Sequence, residues 1–124
     1  MPENHLVKHF RTIYRDLYSD FQCKSARKQI IPFRNAQDLF FVIGIPGSLH
    51  IVELCLSYIP ANQKIIFISN GLSEWEIQWA SENLQTAGML QVPKLLEHGQ
   101  VLDFLLREVT NPFGILDYDC FVFN

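Results

Sequence analysis

The apolar run LFFVIGI at residues 39–45, followed by Pro-Gly-Ser at 46–48, decides the fold. The run does not alternate between apolar and polar residues, which favours a strand covered on both faces, as in a parallel sheet. Parallel neighbours need a crossover, usually a helix. An apolar stretch with helical spacing lies between Ser48, a suitable N-cap, and Pro60, which ends it. These residues therefore predict one strand–helix unit of an α/β domain.

The same strand–helix pattern returns further along the chain. Buried strands are predicted at residues 64–69, 89–92 and 113–116. Ser73 and Glu76 form a capping box for a helix through about Asn83 with Trp75 on its apolar face, and residues 99–109 have a second helical period. Alternating strands and helices predict a Rossmann-like α/β fold, a doubly wound and mainly parallel sheet flanked by helices.

The N-terminal segment has a different pattern. Apolar residues three or four apart over 6–21 predict an extra amphipathic helix, and residues 23–34 are basic and are predicted to form a solvated loop. We therefore divide the chain into an N-terminal helix and linker, residues 1–37, and an α/β domain, residues 38–124.

Composition limits the function classes. The chain has 124 residues and a net charge of −3, so it lacks the basic field that nucleic-acid binding requires. Its longest apolar run is far shorter than the roughly 20 residues of a membrane span. The N-terminus lacks a signal-peptide core, and three well-separated cysteines favour a reducing, cytoplasmic location. The oligomeric state has no signature in the sequence.

Three turns follow predicted strands and are candidates for the functional site. They are residues 46–48, 69–71 and 117–119. Ligands of open parallel sheets bind beyond the carboxyl ends of the strands, so we expect the three turns to meet in one crevice. Free amides at the start of the helix after Gly47 could accept an anion.

Asp117 and Asp119 are the sharpest chemical feature. Residues two apart on an extended chain point to the same side, which would bring the two carboxylates together. Close carboxylates favour a hard cation such as Mg²⁺ or Mn²⁺, which in turn binds substrate phosphates. The alternative, a solvated turn, stays open because Asp-x-Asp is a short motif.

From residue 39 to 124 the chain resembles the nucleotide-sugar-binding half of GT-A fold glycosyltransferases, the family-2-like group. The matching pieces are FFVIGIPGS, IIFISNGLSE, HGQVLDFLL and GILDYDCFVF. The resemblance implies a nucleotide-diphosphate sugar as donor, a divalent metal (Mn²⁺ or Mg²⁺) and an unknown acceptor. It implies positions near the nucleoside for Pro46, Gly47 and Ser48, near the base for Ser69 and Asn70, in the donor helix for Asp103, near the ribose for Asp117, and on the metal for Asp119.

Two departures from the family qualify that interpretation. Ser69-Asn70 stands where the family usually has an acidic residue, and the acceptor-binding half with its catalytic carboxylate has no counterpart. The α/β domain is therefore expected to be incomplete, and catalysis by this chain stays an open question. Two alternatives remain: a non-catalytic interaction module of the same shape, and a haloacid-dehalogenase-like phosphatase with Asp117 as nucleophile and Asp119 as acid/base.

Overall fold

The computed structural model describes residues 4–118 of the chain. Four strands and five α-helices lie within those residues, with one 3-10 turn at Ile31–Phe33. Their bounds are α1 His5–Gln22, α2 Lys24–Gln29, β1 Leu39–Gly44, α3 Leu49–Ser57, β2 Lys64–Asn70, α4 Glu74–Asn83, β3 Gly88–Val92, α5 His98–Glu108 and β4 Phe113–Leu116.

The four strands form one sheet in the order β3-β2-β1-β4, and every neighbouring pair is parallel. Gly44 at the end of β1 is level with Ser69 on β2, and Val42 is level with Leu116 at the end of β4. The chain moves outward from β1 through β2 to β3 and then returns to the other side of β1. The predicted α/β class with a parallel sheet and flanking helices is confirmed.

Both faces of the sheet are covered, which explains why the strand sequences do not alternate. Phe41, Ile66 and Leu90 point into a cluster that includes residues of α2 and α5. Val42 and Phe67 point into a second cluster with residues of α3 and α4. Because burying apolar surface drives folding, a central strand with two covered faces is apolar at nearly every position.

The prediction of a solvated loop before β1 is wrong for Lys24–Gln29, which form α2. Cys23, Ala26 and Ile30 are buried in the cluster on the α5 side of the sheet. The Gln29 Oε1 atom accepts a hydrogen bond of 2.7 Å from the Gln91 amide on β3. The buried residues are spaced three and four apart, but basic neighbours hide that short stripe in the sequence. The division of the chain at residue 38 stays a prediction.

Two further details differ from the sequence expectations. Trp75 was predicted on the buried face of α4, but its side chain is 68% exposed, and α4 buries Glu76 and Ala80 instead. The predicted amphipathic helix is confirmed as α1, yet its described buried residues are the polar Ser19 and Gln22.

Two glycines in the strand-to-helix turns have positive φ angles, and they make a matched pair for testing stability. Gly47 has φ +84° and no atom within 4 Å of an added Cβ, whereas at Gly71 (φ +76°) an added Cβ would lie 2.7 Å from the Leu95 amide nitrogen. Gly47→Ala should cost about 1–2 kcal/mol of unfolding free energy, from left-handed strain alone. Gly71→Ala should cost about 1–3 kcal/mol more, because the backbone near Leu95 must also shift. Urea denaturation of both variants measures the difference, and equal losses would contradict the close approach.

Candidate functional site

The carboxyl edge of the sheet is where the strands that precede the candidate turns end. All four strands run the same way, so the turns after β1, β2 and β4 lie at one edge. The direction of winding reverses between β1 and β4, because β2 lies on one side of β1 and β4 on the other. In open α/β sheets the crevice outside such a reversal is the usual ligand site. The three turns therefore follow strands that end at the same edge of the sheet, and their convergence on one crevice stays a prediction.

The turn after β1 is held by its own serine. The Ser48 Oγ atom donates to the Ile45 carbonyl at 2.7 Å and accepts from the Ile45 amide at 3.0 Å. Ser48 is buried and its side chain makes no capping bond to α3, so its hydroxyl closes the turn instead. Pro46 and Gly47 remain exposed at the tip, where a ligand could touch them.

Glu76 at the start of α4 connects that turn to the neighbouring crossover. Its Oε2 atom accepts from the Gly47 amide at 3.0 Å. Its Oε1 atom accepts from the Ser73 amide at 3.1 Å and from the Ser73 hydroxyl at 3.0 Å. The hydrogen bond from Gly47 and those from Ser73 hold the pKa of this carboxyl below its usual value of 4.5, while its burial acts in the opposite direction. The ionised Glu76 carboxylate therefore joins the turn after β1 to the turn after β2 by hydrogen bonds, and we call this arrangement the clamp.

Two amides of the turn just before α3 are engaged. The Gly47 amide donates to Glu76, and the Ser48 amide donates to the Ile45 carbonyl at 3.1 Å. An anion at this turn would also face the negative charge of Glu76. Helix α3 itself begins at Leu49, and anion acceptance by the amides at its start stays a prediction.

The end of β2 is directed into the protein. The Asn70 side-chain amide donates to the Leu96 carbonyl and accepts from the Leu96 amide, both at 2.9 Å. Ser69 is fully buried, and its hydroxyl has no hydrogen-bond partner among the residues described. Asn70 thus fastens the segment between β3 and α5 to the edge. A contact of Ser69 or Asn70 with a nucleotide base stays a prediction.

Asp117 lies at the end of β4, on the other side of the winding reversal. It is exposed and forms no ion pair within residues 4–118, and its backbone carbonyl accepts from the Cys55 thiol at 4.0 Å. Tyr118 packs instead against the cluster on the α3 side. Asp119 lies outside the described residues, so the geometry of the two carboxylates stays a prediction.

Asp103 is exposed on α5, and its place in a donor site stays a prediction. The Arg107 Nε atom donates to its backbone carbonyl at 3.4 Å. Within residues 4–118, no three His, Cys, Asp or Glu side chains are close enough together to hold a metal ion. Among residues 4–118, Asp117 is the exposed carboxylate that the sequence analysis predicted at the carboxyl edge of the sheet.

A cavity of about 290 Å³ adjoins the turn on the α3–α4 side of the sheet, and sequence reasoning did not find it. His50 and Trp79 form part of its wall, with ring centroids 5.8 Å apart in an edge-to-face arrangement. Its lining consists of Gly47, Leu49, His50, Trp75, Glu76 and Trp79.

Sequence reasoning also missed the tertiary role of Glu76. The capping box pointed to its local bonds with Ser73, and those are confirmed. Its bond to Gly47 joins residues 29 positions apart, for which the sequence contains no periodic signal.

Replacing Glu76 should weaken the edge in a pH-dependent way. Glu76→Gln removes the charge that three donors share, and we expect a loss of about 1–3 kcal/mol of unfolding free energy at pH 7. Because the native-state pKa is lowered, this stabilisation is present above the unfolded-state pKa and is lost as the pH falls through the native one. The difference between wild type and variant should therefore shrink in acid, as measured by urea denaturation from pH 7 downward.

Glu74→Gln is the matched control for that experiment. Glu74 is an exposed acid in the same first turn of α4 and has no hydrogen bond of its side chain among the described contacts. Its replacement should cost only the helix-dipole contribution, about 0.3–1 kcal/mol. Equal losses for the two variants at every pH would contradict the clamp.

Comparison with known proteins identifies the family of the chain. Residues 19–124 match the family described as the StrH glycosyltransferase N-terminal domain. Over 83 residues the chain is 29% identical to the dTDP-dihydrostreptose--streptidine-6-phosphate dihydrostreptosyltransferase of Streptomyces griseus, which covers 67% of this chain and 22% of that enzyme.

The chain thus spans about a fifth of the length of the curated relative that it matches. No solved structure matches it significantly. None of the helices in residues 4–118 is both long enough and apolar enough to cross a bilayer. Because the family match covers most of the sequence, the chain belongs to the family of StrH glycosyltransferase N-terminal domains.

Proposed function

We propose that this domain binds a nucleotide-diphosphate sugar together with a divalent metal, as the donor half of a glycosyltransferase. The observation that carries the proposal is the winding reversal between β1 and β4. Asp117 follows Leu116, which is level with Val42, so it lies at the same edge of the sheet as the exposed turn at Pro46 and Gly47. We propose that one extended ligand contacts both.

The charges at this edge favour a diphosphate near β4 rather than at the start of α3. Glu76 is ionised and holds the Gly47 amide, so the turn after β1 offers a phosphate little positive potential. We therefore assign the uncharged tip of that turn, Pro46 and Gly47, to the nucleoside. The charged part of the ligand then lies toward Asp117, where a cation is needed to offset carboxylate and phosphate repulsion.

The residues on the β4 side fit a hard divalent cation. The Asp117 carboxylate is exposed and has no cationic partner within residues 4–118, and carboxylate oxygens are the ligands that Mg²⁺ and Mn²⁺ prefer. Asp117, and with it Asp119 from the sequence motif, would hold the metal. When bound, the metal would stabilise the departing diphosphate. The chain's own residues orient the nucleoside and position the carboxylates.

The relative suggests which nucleotide to test first. Its printed name describes a dTDP-linked donor and streptidine 6-phosphate as the acceptor. We extend only the nucleotide to this chain and propose a dTDP-linked sugar as the donor class. The sugar, the acceptor and the transfer step depend on parts of such an enzyme that this domain does not provide alone.

Titration calorimetry with dTDP and Mn²⁺ tests the proposal. We expect binding that disappears with EDTA and is at least about tenfold weaker in Asp117→Asn and Asp119→Ala, since each loses a charged ligand worth about 1.4 kcal/mol or more. UDP and GDP in the same assay report the base preference.

Asp38→Asn is the matched control for these substitutions. Asp38 is an exposed acid just before β1, at the opposite edge of the sheet, and its φ of 55° is a conformation that Asn tolerates. It should bind dTDP like the wild type. Binding that is indifferent to the metal, or equal in all three variants, would overturn the proposal.

A further inference from the structure

Helix α1 turns its apolar side away from the rest of the domain. Eight large apolar side chains along it are exposed, with Phe10 at 61% and Phe21 at 70%. The set is Leu6, Val7, Phe10, Ile13, Tyr14, Leu17, Tyr18 and Phe21. Single exposed apolar residues are ordinary on a protein surface, but a continuous row of this size marks a contact surface.

The row forms one broad arc on the helix. With about 100° between successive residues, the eight side chains occupy an arc of about 140° that no polar residue interrupts. The contacts with the domain come from the opposite, polar side. Ser19 and Gln22 are buried, and the Gln22 Oε1 atom accepts from the Lys94 amide at 3.1 Å. The amphipathic pattern of α1 is therefore directed outward, toward something beyond this domain.

Charge is unevenly divided along the chain, and this division favours a partner of negative charge for α1. Residues 1–29 contain six of the ten basic residues and three of the thirteen acidic ones, a net charge of +3. Residues 30–124 contain four basic and ten acidic residues, a net charge of −6. The segment that carries the apolar arc is thus positive on a domain that is otherwise negative.

The charges on the two borders of the arc differ. Lys8, Arg11 and Arg15 follow one border on the helical projection, and Asp16 and Asp20 lie on the other. Asp20 is paired with Arg27 at 3.6 Å and with Arg107 at 3.4 Å, so its charge is offset within the chain. Helix α1 by itself has a net charge of +1 from these five residues, and the three basic residues of α2 add to it.

We infer that α1 docks the domain on an anionic lipid surface, lying along the membrane with Phe10, Leu17 and their apolar neighbours in the headgroup–acyl boundary. A helix with a polar face rich in Lys and Arg and an apolar face of Phe, Tyr and Leu is the type that binds such an interface. The acidic remainder of the domain is repelled by the same surface, so the electrostatic field orients α1 toward it.

A second copy of the chain is the competing occupant, and the charges disfavour it. Two α1 helices packed antiparallel would set their basic borders side by side. A parallel pair would set the basic border against Asp16 and Asp20, and of these two Asp20 already has two arginine partners, which leaves one acidic side chain opposite three basic ones. The inference is independent of the proposed donor site, because residues 5–18 of α1 lie outside the range that matches the family.

Vesicle co-sedimentation of the full chain tests the inference. We expect binding to vesicles of phosphatidylserine and phosphatidylcholine at 0.1 M salt, and at least tenfold weaker binding to phosphatidylcholine alone or at 0.5 M salt. Phe10→Asp with Leu17→Asp should reduce binding at least tenfold. Both side chains are exposed, so the far-UV circular dichroism and the Tm of this variant should match the wild type.

A charge-matched pair of double variants separates position from net charge. Lys8→Glu with Lys28→Glu, and Lys64→Glu with Lys94→Glu, change the net charge equally, and all four lysines are exposed. The first pair should weaken vesicle binding severalfold more than the second. Equal effects of the two pairs, or equal binding to neutral and anionic vesicles, would overturn the inference. A dimer by sedimentation velocity that Phe10→Asp with Leu17→Asp dissociates, without vesicle binding, would assign the arc to a second copy.

Discussion

Burial of the sheet on both faces is the constraint on which the rest of the structure depends. Each strand runs in the same direction because a helical crossover joins it to the next one. The crossovers α3 and α4 cover one face of the sheet, and α5 covers the other together with α2. The carboxyl ends must then gather at one edge. The chain returns from β3 to the far side of β1, so the direction of winding reverses between β1 and β4. Exposed residues follow both of these strands at the carboxyl edge.

The carboxyl edge combines buried, hydrogen-bonded side chains with a few exposed residues. Ser48, Asn70 and Glu76 are buried and have side-chain polar atoms bonded to the backbone, Ser48 within its own turn and the other two in distant segments. Pro46, Gly47 and Asp117 are exposed. Polar groups that support a site are best held where water cannot compete for their hydrogen bonds. The residues that meet a ligand must, by contrast, remain accessible.

The N-terminal segment shows how a short stretch of chain can serve two surfaces. Its second half packs into the core through Cys23, Ala26 and Ile30, and its first half leaves its apolar arc outside. The junction is polar, with Gln22 bonded to the backbone near Lys94 and Asp20 held by two arginines. Such a junction fixes the direction of α1 without covering the arc, which keeps the arc available to a partner.

Much of the fold followed from residue patterns alone. The continuous apolar runs at 39–45 and 64–69 are typical of doubly covered strands, and the Ser73–Glu76 capping box marked the start of α4. The short helix α2 was missed because its three buried residues are scattered among basic ones. The exposed Trp75 was misassigned because an apolar side chain on a helix does not by itself reveal which face has a neighbour.

By itself, the sequence determined the α/β class, the positions of the four strands and the edge at which the candidate residues gather, because burial patterns depend on local periodicity. Only the tertiary structure decided that Glu76 holds Gly47, that Asn70 is committed to Leu96 and that the apolar arc of α1 faces outward. These are contacts, or missing contacts, between segments distant in the chain. No periodic pattern encodes them, since they depend on which surfaces packing leaves beside one another.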